Sequence, residues 1–378
     1  MLSLSVDAAD RPGLVKERPS TGRFVETDEG FMVPYKVTIP GTAVSFWMEP
    51  IPGGQFTMGS PDTEAMRLDH EGPRKIVKVA PFWMARLEVT QAEYHQFELL
   101  YDAFKTFEEK GMRKVTAENQ VDAVTAPTPL YEPSFTYEFG EAPHLPMVTM
   151  TQHSAKQYSK WMSAITDMQF RLPTEAEWEY ACRAGAQTAY HFGNDASKLT
   201  DYGWFIDNSG NGGQRKGGLK KPNRWGLFDM HGNVGEWVLD NLESYETTET
   251  PFDGNKWVTK PTLDPRVVRG GCWQFEAHQC RCSSRLGSDS SGAERGWREY
   301  DPCFPLSPFW YTSGPSRAIG FRLIRTLQEV PRQEMENAWK IDNQETLSDV
   351  TDRLLMGRGA QGIVDKALPS AIKDLEDK

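Results

Sequence analysis

Apolar residues recur at helical spacing in the middle of the chain, and two of these stretches begin with a recognisable cap. Thr90 precedes Glu93, and Thr174 precedes Glu177, in each case by three residues. In this capping-box pattern a hydroxyl and a carboxylate bind the free amides of the first helical turn. The pattern therefore predicts helices that begin at these two threonines, and a further helix is expected to run on from Thr151.

The predicted helix after Thr174 places Trp178, Ala181 and Cys182 on one face before Gly185 ends it. We therefore expect Cys182 to be a buried core residue. The rest of the chain is rich in turn-forming residues and short apolar runs, which predicts short strands and little regular secondary structure.

Three segments stand apart from this central pattern. Residues 1–44 are polar and interrupted by proline and glycine, which predicts an N-terminal arm laid on a domain. Residues 98–145 begin with a helical pattern and continue as a Pro-rich run, which predicts an insertion that forms one wall of a cleft. Residues 328–378 carry apolar residues at helical spacing over 346–355 and 362–375, which predicts a solvated helical tail or a contact between subunits.

Composition and charge narrow the classes of function. The chain has 38% hydrophobic residues and 12 Trp, enough for one large core. The net charge of −11, with no basic block, argues against a nucleic-acid partner and favours a basic peptide, a cation or simply an acidic surface. Carboxylates such as Asp240 and Glu243 are expected on a solvated face.

Targeting signals are not evident in the sequence. No apolar stretch approaches the ~18 residues of a membrane span, and residues 1–19 lack the order of a secretory signal. Five cysteines in a chain of this length do not form a disulfide framework. We therefore expect no membrane partner and a cytoplasmic protein as the sequence is written, or an exported one if the true start carries a signal that is missing here.

The densest group of oxygen ligands lies in residues 226–237, which read GLFDMHGNVGEW. Asp229, Glu236 and the backbone carbonyls between them are the hard oxygens that Ca²⁺ prefers, and Gly232 allows the sharp turn that would point them inward. His231 is expected to pack or to cap. The alternative is a tight turn whose carboxylates bind backbone amides.

A second group of potential ligands is soft and lies in residues 270–285, which read GGCWQFEAHQCRCSSR. Three thiols and an imidazole within eleven positions favour Cu(I) or Zn²⁺ over Ca²⁺. The spacing is not that of a zinc finger, because paired C-x₂-C units are missing. The alternative is that these are small, core-facing residues of a strand pair.

The segment at 226–237 resembles the G-L-[YF]-[DN]-M-x-G-N-[VA]-x-E-W signature of the formylglycine-generating enzyme (sulfatase-modifying factor) family. Further family blocks occur in the same order at residues 51–60, 88–94, 171–181, 266–273 and 320–323. The resemblance implies a C-type-lectin-like α+β fold with low regular secondary structure. It also implies a domain over residues 45–327, which contains the insertion.

The resemblance further implies structural Ca²⁺. By position, Asp229 and Glu236 match side-chain ligands of one family site, and Gly232 and Val234 match its backbone-carbonyl ligands. Asn208 resembles the start of the other family site.

The resemblance also bears on redox chemistry. Active members carry G-G-S-x₂-C-x₄-C, and its two thiolates bind Cu(I) and use O₂ to oxidise a substrate cysteine to formylglycine. Aligned from Gly270, the first cysteine position holds Phe275 and the second holds Cys280. Either Cys272 or Cys282 would replace the missing thiolate, with Cys272 favoured because it comes from the preceding turn, or the activity is lost.

Two classes of function therefore stay open. One is a copper- and O₂-dependent oxidase that acts on a peptide cysteine, as in sulfatase maturation, or on a related thiol. The other is a non-catalytic peptide- or sugar-binding protein on the same scaffold. Its candidate ligand-binding side chains are aromatic residues and arginines, namely Trp273, Phe275, Arg285 and Trp310, together with Trp297, Tyr311 and Arg317.

Overall fold

The computed structural model describes residues 11–130, 132–210, 212–246, 251–288, 306–312 and 314–376. The helices are α1 (Gln91–Glu98), α2 (Leu100–Glu109), α3 (Pro133–Thr136), α4 (Gln152–Thr166), α5 (Glu175–Arg183), α6 (Ile206–Ser209), α7 (Arg332–Trp339), α8 (Gln344–Leu355) and α9 (Leu368–Glu376). The strands are β1 (Leu14–Val15), β2 (Val25–Thr27), β3 (Gly30–Met32), β4 (Tyr35–Thr38), β5 (Ser45–Ile51), β6 (Gly54–Met58), β7 (Lys75–Val79), β8 (Phe82–Ala85), β9 (Ala123–Ala126), β10 (Phe170–Arg171), β11 (Gly235–Asn241), β12 (Phe252–Asp253), β13 (Arg266–Arg269), β14 (Arg285–Gly287), β15 (Ile319–Gly320), β16 (Ile324–Thr326) and β17 (Ala360–Ile363).

The helix starts that the caps predict are confirmed. Thr90 and Thr174 precede α1 and α5, and each forms a complete capping box with the glutamate three residues on. The Thr151 hydroxyl accepts a hydrogen bond from the Ser154 amide at the start of α4. Cys182 is fully buried on α5, as predicted.

Short sheets surround these helices. The largest is antiparallel in the order β10-β16-β8-β5-β4, and a second sheet has the order β14-β13-β11-β15. A three-stranded sheet has the order β12-β7-β6. One apolar cluster packs around α1, α2 and α4, and another lies between α5 and strands β7, β8 and β11. The predicted α+β class is confirmed. Within the described ranges, no helix combines the length and apolar character that a transmembrane helix needs.

The segments that flank the centre of the chain are built into the fold. Strand β4 of the N-terminal arm pairs with β5, and β17 of the C-terminal segment pairs with β9 of the insertion. Asp342, between α7 and α8, forms ion pairs with Lys156 on α4 and with Arg266 on β13, at 2.9 and 2.7 Å. The C-terminal segment is therefore not the solvated tail that its helical spacing suggests.

Candidate functional site

The loop at residues 226–237 reaches β11 through a turn that only a glycine can form at one position. Gly232 has a φ of 120°, and a Cβ there would lie 2.1 Å from the carbonyl oxygen of Trp204. Asp229 and Asn233, on either side, also adopt left-handed backbone conformations, with φ of 58° and 61°. These conformations fold the loop tightly over the Trp204 segment and bury its polar side chains.

Two carboxylates in this region each keep one unpaired oxygen. One Asp229 oxygen accepts the Gly218 amide at 2.7 Å, and one Glu88 oxygen accepts the Asn233 side-chain amide at 3.1 Å. The other oxygens, Asp229 Oδ1 and Glu88 Oε2, are buried and have no hydrogen-bond partner in the described part of the chain. Buried unpaired carboxylate oxygens need a proton or a cation.

The pKa shifts of these two carboxylates also indicate that their negative charge is poorly compensated. Burial raises the pKa of Asp229 to about 6. Burial, and to a smaller extent the negative charge of Asp229, holds the pKa of Glu88 well above its usual range. A bound cation would remove both penalties, so the residues present fit a hard ion such as Ca²⁺. Sequence reasoning did not single out Glu88, although it opens one of the family blocks.

Glu236 and Asn208 have other partners. Both Glu236 oxygens are bound, to the Arg322 guanidinium at 2.5 and 2.6 Å and to the Trp178 indole at 2.7 Å. The Asn208 side chain accepts the Phe205 amide and donates to the Gly203 carbonyl, both at 2.9 Å. Gly232 and Val234 lie buried in the same loop as Asp229. The free oxygens at the predicted calcium site therefore belong to Asp229 and Glu88, not to Glu236.

The two thiols at the predicted copper site lie close enough to interact, since the Cys280 sulfur accepts a hydrogen bond from the Cys272 backbone amide. Cys280 packs with the side chains of Tyr190, Leu199 and Phe205, while Cys272 packs with Trp273 and Ala318. Phe275 packs against both groups.

Both thiols are also kept protonated. Burial raises the pKa of Cys280 to about 12, and burial raises the pKa of Cys272 well above its usual range. Cu(I) binding of the family type needs two thiolates, so an ion bound here would have to displace both protons. Phe275, at the first family position, supplies no thiolate to this region and packs against the apolar groups around both cysteines.

Cys282 contacts the sulfur of Cys182, whereas the sequence offered it as a partner of Cys280. Its Sγ atom is 3.5 Å from that of Cys182 on α5, and His231 borders the same pair. Burial by itself would raise both thiol pKa values. Hydrogen bonds from Cys182 and His231 outweigh burial and lower the pKa of Cys282, whereas that of Cys182 stays raised. The sequence could not show this contact, because the two cysteines are a hundred positions apart.

The aromatic side chains predicted to line a cleft are mostly buried. Trp273, Trp310 and Tyr311 are each less than 7% exposed. The Phe139 ring of the insertion packs edge-on against Trp273 with the centroids 4.7 Å apart. The insertion therefore covers this region, and a ligand would reach these rings only after it moved. Trp297 lies outside the described residues.

The two candidate arginines have protein partners. Arg285 is buried and binds both carboxylate oxygens of Glu175, one of them at 2.8 Å. Arg317 pairs with Glu138 of the insertion. Both guanidinium groups are therefore used to hold the fold together.

An open pocket of about 350 Å³ lies beside Arg285. Asp240 lines it and is buried, contrary to the expected solvated face, and burial raises its pKa to about 7. Burial lowers the pKa of Lys75, whose ammonium lies over the rings of Tyr245 and Phe252 at 4.6 and 4.2 Å. Perturbed titratable groups in a cleft are a common mark of a binding site.

Known proteins match this chain over a range that includes both the loop at residues 226–237 and the segment at residues 270–285. A family model described as the sulfatase-modifying factor enzyme 1-like domain matches residues 47–298. The formylglycine-generating enzyme of Mus musculus is 30% identical over 280 residues, covering 66% of this chain and 74% of the relative. The inactive C-alpha-formylglycine-generating enzyme 2 of Mus musculus is 27% identical over 282 residues, covering 66% and 83%. The structure of PvdO from Pseudomonas aeruginosa matches with a TM-score of 0.53 and 26% identity, over 76% of this chain and 97% of that one.

Proposed function

Because this chain belongs to the sulfatase-modifying factor enzyme 1-like family, we propose that it is a calcium-stabilised member that binds a peptide ligand without oxidising a cysteine. The observation that carries the proposal is Phe275. It occupies the first thiol position and packs against the apolar groups that enclose Cys272 and Cys280. Relatives named as formylglycine-generating enzymes and one named as inactive have similar identity to this chain, so family membership is compatible with either outcome.

Calcium is assigned to the loop that contains Asp229. The unpaired oxygens of Asp229 and Glu88 would hold the ion, together with backbone carbonyls of the turn around Gly232. Bound there, Ca²⁺ would neutralise two buried carboxylates and fix a segment that has little regular structure. Its role is to hold the fold together.

The pocket beside Lys75 is the proposed ligand site. Lys75 is a half-buried cation in its wall, and Tyr245 adds a buried hydroxyl that has no partner in the described ranges. An ammonium group and a hydroxyl suit a carboxylate on the ligand, and the Tyr245 and Phe252 rings suit an adjoining apolar group. A peptide with a free C-terminal carboxylate has this chemistry.

The loss of oxidase chemistry is tested by restoring the missing thiol. Wild-type protein, supplied with Cu(I), reductant and air, should leave a Cys-x-Pro-x-Arg peptide unoxidised, as measured by mass spectrometry. Phe275→Cys should bind about one more Cu(I) per chain than the matched control Phe275→Ser, because the introduced thiol and that of Cys280 would recreate the family spacing. Oxidation of the peptide by the wild-type protein would overturn the proposal and support the oxidase function.

The ligand site is tested by calorimetry with the same peptide in its free-acid and amidated forms. The free acid should bind more tightly, and Lys75→Met should weaken its binding by about fivefold or more, the effect of roughly 1 kcal/mol from one charge pair. Lys78→Met is the control, since Lys78 lies on the same strand but is exposed. Equal affinity for the two peptide forms, or no binding of either, would remove the pocket as the ligand site.

A further inference from the structure

Three soft ligands converge at a point that the calcium and ligand sites do not include. The sulfurs of Cys182 and Cys282 are 3.5 Å apart, and His231 Nε2 is 3.8 Å from the Cys182 sulfur. All three side chains are fully buried. Within the described part of the chain, this is the group of three potential metal ligands whose atoms lie within 4.8 Å of one another.

The spacing matches a tetrahedral site for a soft ion. Zinc bonds of about 2.3 Å to sulfur and 2.0–2.1 Å to nitrogen require S···S near ~3.8 Å and S···N near ~3.5 Å. The S···S separation of 3.5 Å differs from the first of these values by about 0.3 Å. The Cys182 sulfur is 3.8 Å from His231 Nε2 and 3.9 Å from Nδ1, so the imidazole must turn to aim Nε2 at an ion held by both sulfurs. The Met230 carbonyl oxygen, 3.5 Å from the Cys182 sulfur, lies at the distance expected for a fourth ligand.

The imidazole is held in the form that a metal requires. His231 Nδ1 lies 2.7 Å from the Cys280 carbonyl oxygen, which can only accept, so Nδ1 carries the proton. Nε2 is therefore the basic nitrogen, and a backbone carbonyl that orients a histidine in this way is the usual outer partner of a metal ligand. At present Nε2 accepts from His191 Nδ1 at 2.9 Å, and a metal ion would replace that contact.

We propose that Cys182, Cys282 and His231 form a buried structural site for a soft metal ion of the Zn²⁺ class. The site would join α5, the loop at residues 226–237 and the segment before β14. Charge is balanced, because two thiolates and a neutral imidazole neutralise Zn²⁺.

The same two sulfurs could instead be joined as a disulfide, with loss of two electrons and two protons to an oxidant. A disulfide needs the sulfurs at ~2.0 Å and makes no use of His231. The two outcomes are therefore separable by the dependence on the imidazole and by the metal content of reduced protein.

The test is elemental analysis of protein purified with Zn²⁺ and a phosphine reductant. Wild-type protein should hold about one Zn²⁺ per chain, Cys282→Ser should hold none, and His231→Gln should lose zinc at a lower chelator concentration. Cys280→Ser is the matched control, because Cys280 is equally buried but lies outside the cluster. It should keep its zinc.

A second measurement keeps the test valid if the variants fold poorly. Co²⁺ added to reduced, metal-free wild-type protein should give the intense near-ultraviolet band of thiolate-to-cobalt charge transfer. Folded, reduced wild-type protein with no zinc above the Cys282→Ser level and no such band would overturn the proposal. So would a Cys182–Cys282 disulfide that persists in metal-free protein and excludes the metal. Peptide binding and copper-dependent oxidation are separate readouts, so the function proposed above can fail or hold independently.

Discussion

Among the buried carboxylates of this protein, some are neutralised by an arginine and others keep an unpaired oxygen. Glu236 is neutralised by Arg322 through two contacts and needs no further partner. Asp229 and Glu88 repel each other and keep unpaired oxygens, a cost that a bound cation would remove. Asp229 was predictable because its ligand position lies in a local motif. Glu88 was not, because its approach to Asp229 depends on tertiary folding.

The shifted pKa of Asp229 predicts a distinctive response to pH. In calcium-free protein the folded state keeps the Asp229 proton from pH 3.8 up to about 6, where the unfolded chain has lost it. This group therefore stabilises the fold below pH 3.8, and its contribution falls as the pH rises through that window, by on the order of 3 kcal/mol at ~1.4 kcal/mol per unit. Thermal melts with a calcium chelator should show the decline.

Added Ca²⁺ should reverse the decline, and it should raise the melting temperature more at about pH 7.5 than at about pH 4.5, because it competes with the proton. Asp229→Asn should abolish both effects. Asp207→Asn, an exposed carboxylate on α6, is the control and should leave both unchanged. A calcium response that survives in Asp229→Asn would place the ion elsewhere.

Elements differ in how far the sequence predicts them, and the difference follows from the range of their contacts. Helices α1 and α5 begin where their capping boxes lie, since a cap acts within four residues. Strand β17 was not predicted, because its pairing partner, β9, lies more than two hundred residues earlier. Local periodicity carries no information about such a partner, and β-structure is the most context-dependent of local preferences.

The ion pairs of Asp342 give a test of how firmly the C-terminal segment is docked. Asp342→Asn leaves Lys156 and Arg266 buried without a carboxylate, so it should lower the free energy of unfolding by about 3–5 kcal/mol. Urea denaturation measures the loss. Glu345→Gln, an exposed change at the start of α8, should stay within about 0.5 kcal/mol of wild type. Equal effects of the two changes would mean that the segment contributes little to the core.

At the scale of the whole molecule, family blocks and flanking segments carry different information. The blocks predicted the α+β fold because their order along the chain corresponds to the order of packed elements. The sequence shows the composition of the flanking segments but not where they pack in the fold. Their contacts with the centre, such as Arg325 of β16 donating to the Pro12 carbonyl at 2.8 Å, join opposite ends of the described chain. The contact between Cys182 and Cys282 was not evident from the sequence for a related reason: which sulfurs meet depends on packing and not on spacing.

The pairing of β17 with β9 has a consequence for how the protein is made. A ribosome releases the chain from the N-terminus onward, so β9 leaves the exit tunnel long before its partner has been synthesised. Until then the edge of β9 has no paired strand, and α2 lacks its contact with β17. Lys156 and Arg266 also lack the carboxylate of Asp342. Arg11 likewise cannot donate its hydrogen bond to the Leu327 carbonyl until that residue, 316 positions later, has been synthesised. This pairing therefore forms only after β17 has left the tunnel, and a nascent chain stalled before residue 360 would present an unpaired strand edge to the molecular chaperones that bind such surfaces.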